Sequence, residues 1–150
     1  MITRVVGLYV RGMDLKDGQK RSPEESPCLR HACFDCCEKT EMPLTEDDIE
    51  HLEKLGNKRG EFTVQVEGEI RLANRHGECF FLDVGRCSAY QSRPCGCRIY
   101  PLIYDERIHK FVLDPVCPYR AEFEPSRKNK DQLKRLLRRI DRETAKRLGR

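Results

Sequence analysis

The sequence has no tryptophan, and aromatic residues make up only 7% of its 150 residues. Hydrophobic residues reach 38%, below the usual share of about 45–50% in globular domains, while charged residues reach 36%. A chain of this length has room for one domain and a short extension, and its apolar core must be small. Another feature must therefore help to hold the fold together.

Long apolar runs are also missing. No stretch approaches the ~20 residues that a membrane span requires, so we expect no contact with a membrane. The first ten residues include Arg4 and lack the long apolar stretch and cleavage site of a secretory signal. These features indicate a cytoplasmic protein, in a compartment where free thiols normally stay reduced.

Cysteine is the residue type in excess, with nine copies. In a reducing compartment, dense cysteine usage indicates metal ligation or redox chemistry more often than disulfides. Two alternatives stay open: a fold held by disulfides, which the odd number disfavours, and scattered thiols that act as small hydrophobic residues. Metal binding is the favoured interpretation.

The first cysteine cluster contains Cys28, Cys33 and the adjacent pair Cys36 and Cys37. Short Cys-x2-Cys spacing suits metal ligation, because a tight turn directs two sulfurs at one ion. Neighbouring side chains in an extended segment point to opposite sides, so the pair would serve two ions or different atoms of one cluster. This favours an iron–sulfur cluster or two nearby sites over a single zinc ion.

A second group supplies Cys79, Cys87, Cys95 and Cys97, and Cys117 follows later. These spacings match neither the close runs of ferredoxins nor the paired histidines of zinc fingers. Ligands from separate segments would join loops and supply much of the folding energy.

The four histidines are predicted to lie at the surface: His31, His51, His76 and His109. Although His31 lies inside the first cluster, the surplus of thiols argues against it as a ligand.

The remaining pattern predicts an α+β fold, a small cysteine-rich metal-binding domain with short antiparallel strands and a basic C-terminal helix. A strand is predicted at residues 2–10 and a loop at 11–27. Thr45 and Asp48 form a capping signal for a helix with Ile49, Leu52 and Leu55 on its apolar face. The other predicted elements are a hairpin at 61–73 with Glu67-Gly68 at its turn, strands at 101–104 and 110–113, and a helix at 130–148.

Positive charge is concentrated at the C-terminus. Residues 126–150 carry a net charge of +8 and residues 1–125 a net charge of −4. We therefore divide the chain into a cysteine-cluster metal-binding domain (1–125) and a basic amphipathic C-terminal helix (126–150). The helix either binds RNA or a ribosomal surface through phosphate contacts, or packs its leucine stripe on the domain while its charges stay solvated.

One longer pattern is the most specific: Cys-x2-Tyr-x2-Arg-Pro-x2-Cys-Arg-x2-Pro, which runs from Cys87 to Pro101. The Cys-Cys pair, the segment MPLTEDDIEHL and a Gly-x-Cys-x-Phe-Leu stretch precede it. Over residues 28–117 the chain resembles the YkgJ-type cysteine-cluster family, whose domain is described as zinc- or iron-chelating.

The resemblance implies eight metal ligands: Cys28, Cys33, Cys36, Cys37, Cys79, Cys87, Cys97 and Cys117. Cys95 has no counterpart in the pattern and is interpreted as a spare thiol, and the first gap is four residues instead of the usual two. The resemblance also implies a role for Arg93 and Arg98. A guanidinium beside a metal site donates hydrogen bonds to thiolates or carbonyls, or else pairs with a carboxylate that fastens a loop.

The first functional hypothesis is an accessory metalloprotein that carries an iron–sulfur cluster, or alternatively zinc, and acts in electron transfer, metal handling or assembly with protein partners. The second is a cluster-dependent redox or group-transfer enzyme related to flagellin lysine N-methylases. The third is a zinc-stabilised RNA- or ribosome-associated protein that uses the basic tail. No catalytic residue is assigned, because the chain has no glycine-rich motif for S-adenosylmethionine and no phosphate loop.

Overall fold

A computed structural model of the chain describes residues 27–150. The strand predicted at 2–10 and residues 11–26 of the predicted loop lie outside this range. The described part is an α+β fold with four two-stranded antiparallel sheets and one long C-terminal helix, as the sequence predicts. Within residues 27–150, none of the helices combines the length and the apolar character that a membrane crossing requires.

Three helices are followed by six strands, a fourth helix, two more strands and the C-terminal helix. The helices are α1 (Pro27–Arg30), α2 (Glu46–Glu53), α3 (Arg59–Phe62), α4 (Cys95–Ile99) and α5 (Arg127–Arg147). The strands are β1 (Thr63–Val66), β2 (Glu69–Leu72), β3 (Asn74–Arg75), β4 (Glu78–Cys79), β5 (Leu82–Asp83), β6 (Arg86–Cys87), β7 (Leu102–Asp105) and β8 (Lys110–Leu113). Short 3-10 turns cover Asp35–Cys37, Tyr90–Ser92 and Arg120–Glu122.

Three consecutive hairpins form the middle of the chain, β1–β2, β3–β4 and β5–β6. Their turns are Glu67-Gly68, His76-Gly77 and Val84-Gly85, and all six residues have positive φ. Two successive positive φ angles give the type I′ turn, whose twist matches that of paired strands. The sequence predicts only the first of these hairpins, and the other two position cysteines.

Helix α2 begins as predicted, with reciprocal hydrogen bonds at its N-terminus. The backbone N–H of Asp48 donates to Thr45 Oγ1 at 3.2 Å, and the backbone N–H of Thr45 donates to Asp48 Oδ2 at 3.0 Å. The second oxygen, Asp48 Oδ1, accepts the backbone N–H of Cys95 at 2.8 Å. This buried carboxylate therefore joins α2 to the first residue of α4.

Replacing this carboxylate is expected to destabilise the fold. Asp48→Ala removes the cap and leaves the N–H groups of Thr45 and Cys95 without an acceptor, so the free energy of unfolding should fall by about 2–4 kcal/mol. Urea unfolding measures the loss. Asp47→Ala, in the same turn but exposed, is the control and should lose much less. Equal losses would contradict the role of Asp48.

The predicted apolar face of α2 is correct for Ile49 and Leu52, which are fully buried. It is wrong for Leu55, which is 52% exposed. The helix ends at Glu53, so Leu55 lies in the turn that follows and does not continue the buried stripe. Gly56, predicted to stop the helix, has φ of +90° and completes that turn.

The C-terminal helix belongs to the same core as the sheets. Leu133, Leu136 and Ile140 are buried in one cluster with residues of α2, β2 and β7, as the leucine stripe predicts. Leu148, predicted on this stripe, is 44% exposed because the helix ends at Arg147. Ion pairs from Arg139 to Asp47 and from Arg147 to Glu46 tie α5 to α2.

Candidate metal centre

Seven of the nine cysteines line one cavity of about 790 Å³. They are Cys28, Cys33, Cys36, Cys37, Cys79, Cys87 and Cys97. The cavity also has apolar and aromatic walls, and its volume lies in the range of about 300–1,000 Å³ that is typical of ligand and cofactor sites. The fold therefore gathers thiols from distant parts of the sequence at one place.

The donor set of this cavity is uniform. Among residues 27–150, the side chains that line it include no aspartate, glutamate or histidine. Mg2+ and Ca2+ prefer oxygen ligands, whereas thiolates select zinc, iron–sulfur clusters and Cu(I). The residues present therefore fit a thiophilic metal in their chemistry.

The sulfurs are not preassembled around an ion. Within residues 27–150, no three metal-binding side chains lie close enough together to hold one ion as they stand. None of the cysteines in residues 27–150 forms a disulfide. Metal sites in small domains often form only when the metal binds. The cysteine side chains of this cavity must therefore move toward the metal on binding.

Two hairpins place the central cysteines. Cys79 ends β4, opposite Asn74, and Cys87 ends β6, opposite Leu82. A further backbone hydrogen bond closes the open end of each hairpin. The N–H of Phe80 donates to Ala73 O at 2.9 Å, and the N–H of Ser88 donates to Phe81 O at 2.7 Å. The His76-Gly77 and Val84-Gly85 dipeptides form the turns of these hairpins. They are the local sequence feature that could have predicted the two hairpins.

The adjacent pair Cys36 and Cys37 corrects one premise of the sequence analysis. The segment is a 3-10 turn, Asp35–Cys37, and not an extended strand. Successive side chains of such a turn are about 120° apart instead of opposite. Both cysteines line the cavity, and a hydrogen bond with Cys37, together with burial, raises the pKa of the Cys36 thiol.

Burial and mutual repulsion also raise the pKa of thiols in the second group. Burial raises the pKa of Cys79 to about 11, and the neighbouring Cys87 and Cys36 add to the rise. The pKa of Cys97 is also raised well above its usual value, by burial and by the charges of Cys36, Cys79 and Cys87. A buried group of thiols disfavours its own ionisation until a cation compensates the charge.

The two arginines implied by the resemblance occupy different places. Arg93 lines the cavity, stacks on the Tyr90 ring at 3.7 Å and donates from Nε to Tyr90 O at 2.9 Å. Its charge acts to lower the pKa of nearby thiols, including Cys97. Arg98 is exposed and does not line the cavity. Contact of either arginine with a cofactor stays a prediction.

Cys95 and Cys117 lie outside the cavity wall. Cys95 packs against the apolar core, and burial and then Asp48 raise its pKa. Cys117 is buried, and burial followed by the charges of Cys28, Cys36 and Cys33 raises its pKa to about 11. Cys117 therefore lies beside the first cluster, whereas Cys95 packs against the core outside the cavity wall.

The histidines are exposed, as predicted. His31 stacks on Tyr119 with a centroid separation of 3.8 Å, and its Nε2 lies 2.7 Å from Glu122 Oε1. The imidazole ring therefore contacts Tyr119 and Glu122. His31 makes structural contacts in this arrangement, and its exclusion from the ligands stays a prediction.

The cavity wall contains several residues that the sequence did not predict for the site, among them Phe34, Val84 and Tyr100. Val84 is 94% exposed and has φ of +45°, an unfavourable conformation for a β-branched residue. Burial, followed by the charge of Asp114, raises the pKa of Tyr100. No local pattern marks these residues, because tertiary structure alone brings them to the cavity.

Fold and cavity together define a small domain built around a cluster of cysteines. The family model CxxCxxCC, described as "Putative zinc- or iron-chelating domain", matches residues 27–118, and the chain belongs to this family. The match confirms the predicted cysteine-cluster family and a metal-binding protein. No curated protein and no solved structure matches the chain.

Proposed function

We propose that this chain is an accessory metalloprotein whose cysteine cavity carries an iron–sulfur cluster in preference to zinc, for electron transfer or metal handling. One observation carries the proposal: seven cysteines from separate segments face a single cavity without any carboxylate or imidazole in the described wall. The assignment of eight cysteines as ligands follows the same observation, with Cys117 beside the wall.

The number of thiols favours iron–sulfur chemistry. A structural zinc ion uses four ligands, whereas the cavity offers seven thiols and far more volume than one ion needs. A bound cluster supplies one-electron transfer, and zinc supplies a structural crosslink. The chain itself contributes Arg93, whose positive charge lies where the thiolates are anionic and stabilises them.

Metal identity is tested by anaerobic purification followed by absorption spectroscopy and by elemental analysis of iron, sulfide and zinc. We expect a brown protein with broad absorption near ~400 nm and equal amounts of iron and sulfide. A colourless protein with stoichiometric zinc would replace the electron-transfer role by a structural one. A protein without metal, whose cysteines are paired, would contradict the proposal as a whole.

A second function is favoured by the exposed side of α5. Five basic residues at helical spacing form what we call the basic face: Lys128, Arg135, Arg138, Arg142 and Lys146. All five are exposed, and within residues 27–150 no ion pair engages them. Such a surface suits the phosphate backbone of RNA, which we propose as its partner.

RNA binding by the basic face is expected to depend strongly on salt. The triple change Arg135→Ala, Arg138→Ala and Arg142→Ala should reduce the slope of log K against log salt by about 2 for single-stranded RNA. Fluorescence anisotropy with an oligouridine at several salt concentrations measures this slope.

The control for this prediction changes the net charge equally at another surface. Lys54→Ala, Lys58→Ala and Lys110→Ala replace three exposed lysines outside α5. An equal change of slope in both triple variants would show nonspecific attraction by net charge instead of a binding face. No measurable binding by the unchanged protein would remove RNA as the partner.

A further inference from the structure

We propose that the cysteines form two metal centres, one built on Cys28, Cys33 and Cys117 and the other on Cys79, Cys87 and Cys97, with the Cys36–Cys37 pair between them. The inference rests on the proposed function and deepens it, because it assigns the ligands of each centre. Each centre takes a thiophilic metal, either a zinc ion or an iron–sulfur unit. The family description names zinc or iron chelation without dividing the ligands.

The first centre is held together by a clamp around Glu122. Arg30 Nη2 lies 2.6 Å from Glu122 Oε2, and His31 Nε2 lies 2.7 Å from Glu122 Oε1. His31 also stacks on Tyr119. Arg30 and His31 lie between Cys28 and Cys33 in the sequence, so the clamp fastens that loop to the segment that begins at Cys117.

The second centre is built from different elements. Cys79 ends β4, Cys87 ends β6, and Cys97 lies on α4, which the core anchors through Ile99. None of the clamp residues lies in β4, β6 or α4. The clamp therefore supports one group of three thiols, and the hairpins together with α4 support the other.

The adjacent pair lies between the two groups of thiols. Cys36 and Cys37 lie in the 3-10 turn that follows Cys33, and both line the cavity together with Cys79, Cys87 and Cys97. The pair can therefore complete both centres to the four ligands that zinc and iron–sulfur units use.

The number of thiols also favours two centres. A tetrahedral zinc ion or an iron–sulfur unit takes four thiolate ligands, so a single centre would leave four of the eight thiols without a metal. Eight thiols match two centres of four ligands each.

The test compares two ligand variants with a cysteine that lies outside both centres. Cys117→Ser, Cys87→Ser and Cys95→Ser are reconstituted anaerobically with Zn2+ alone and, separately, with iron and sulfide. Native mass spectrometry counts the bound metal, and circular dichroism checks the fold. We expect Cys95→Ser to bind as much metal as the unchanged protein, and each of the other two variants to bind half.

A fourth variant removes the clamp without touching a ligand. Glu122→Ala, at a partly exposed position, should weaken metal binding at the first centre by about 10–100-fold and leave the second unchanged. If either serine variant is unfolded, Glu122→Ala decides whether there are two centres. It keeps every ligand, so one protein would show a tightly bound metal at one centre and a weakly bound metal at the other.

The outcomes separate the inference from the proposed function. Loss of all metal in both Cys117→Ser and Cys87→Ser, or uniform weakening in Glu122→Ala, would overturn the division and leave a single centre. Absence of metal in the unchanged protein would instead remove the proposed function itself. Retention of all metal in Cys117→Ser would exclude the first centre as assigned.

Discussion

Removal of the metal is expected to unfold the cysteine-rich segments while the helical core stays folded. Structural zinc contributes about 10–16 kcal/mol of apparent binding free energy in small domains, as much as the whole stability of a typical protein. Residues 27–41 contribute only Cys37 to the packing against the hydrophobic core, so the Glu122 clamp, the metal and a few hydrogen bonds to the β3–β4 hairpin hold them. The core around α2 and α5 has its own buried leucines and isoleucines.

Amide hydrogen exchange before and after chelation tests this expectation. Protection should be lost at residues 28–38, which depend on the clamp and the metal, and kept in the buried turns of α2 and α5. Reloading with the metal is the control and should restore the lost protection. Unchanged exchange everywhere would contradict a structural role for the metal, and loss of protection throughout would show that the core depends on it.

Local signals explain what the sequence predicts correctly. The capping residues Thr45 and Asp48, the Glu67-Gly68 turn and the leucine spacing of α5 are each read from a few neighbouring residues, and each is confirmed. The pairing of β7 with β8 is confirmed for the same reason, because two short apolar runs flank a polar turn. Near-neighbour chemistry suffices for these elements.

Other elements depend on tertiary contacts. Strands β3 to β6 have two residues each, too few to show an alternating pattern, and α4 has only five. An extended backbone is expected at the adjacent cysteines Cys36 and Cys37, but they lie in a 3-10 turn. For the candidate site, the cysteines and the family are predictable from the sequence, whereas Tyr100 and Val84 reach the cavity only through folding.

The neighbouring residues Cys95 and Cys97 offer the sharpest test of the cavity as the metal site. They lie two positions apart on α4, and residues at that spacing face different sides of a helix. Cys97 lines the cavity, whereas Cys95 packs against the core and donates its backbone N–H to Asp48. One short helix thus presents one thiol to the site and one away from it.

Cys97→Ser is expected to bind at most about half the metal that Cys95→Ser binds, because the serine hydroxyl is a poor replacement for a thiolate ligand. Elemental analysis after anaerobic purification measures the ratio, and both variants remove one sulfur from the same turn. The burial of the two thiols is similar, so general destabilisation should affect both variants alike. Equal metal content in the two variants would show that the cavity is not where the metal binds, whatever the family match implies.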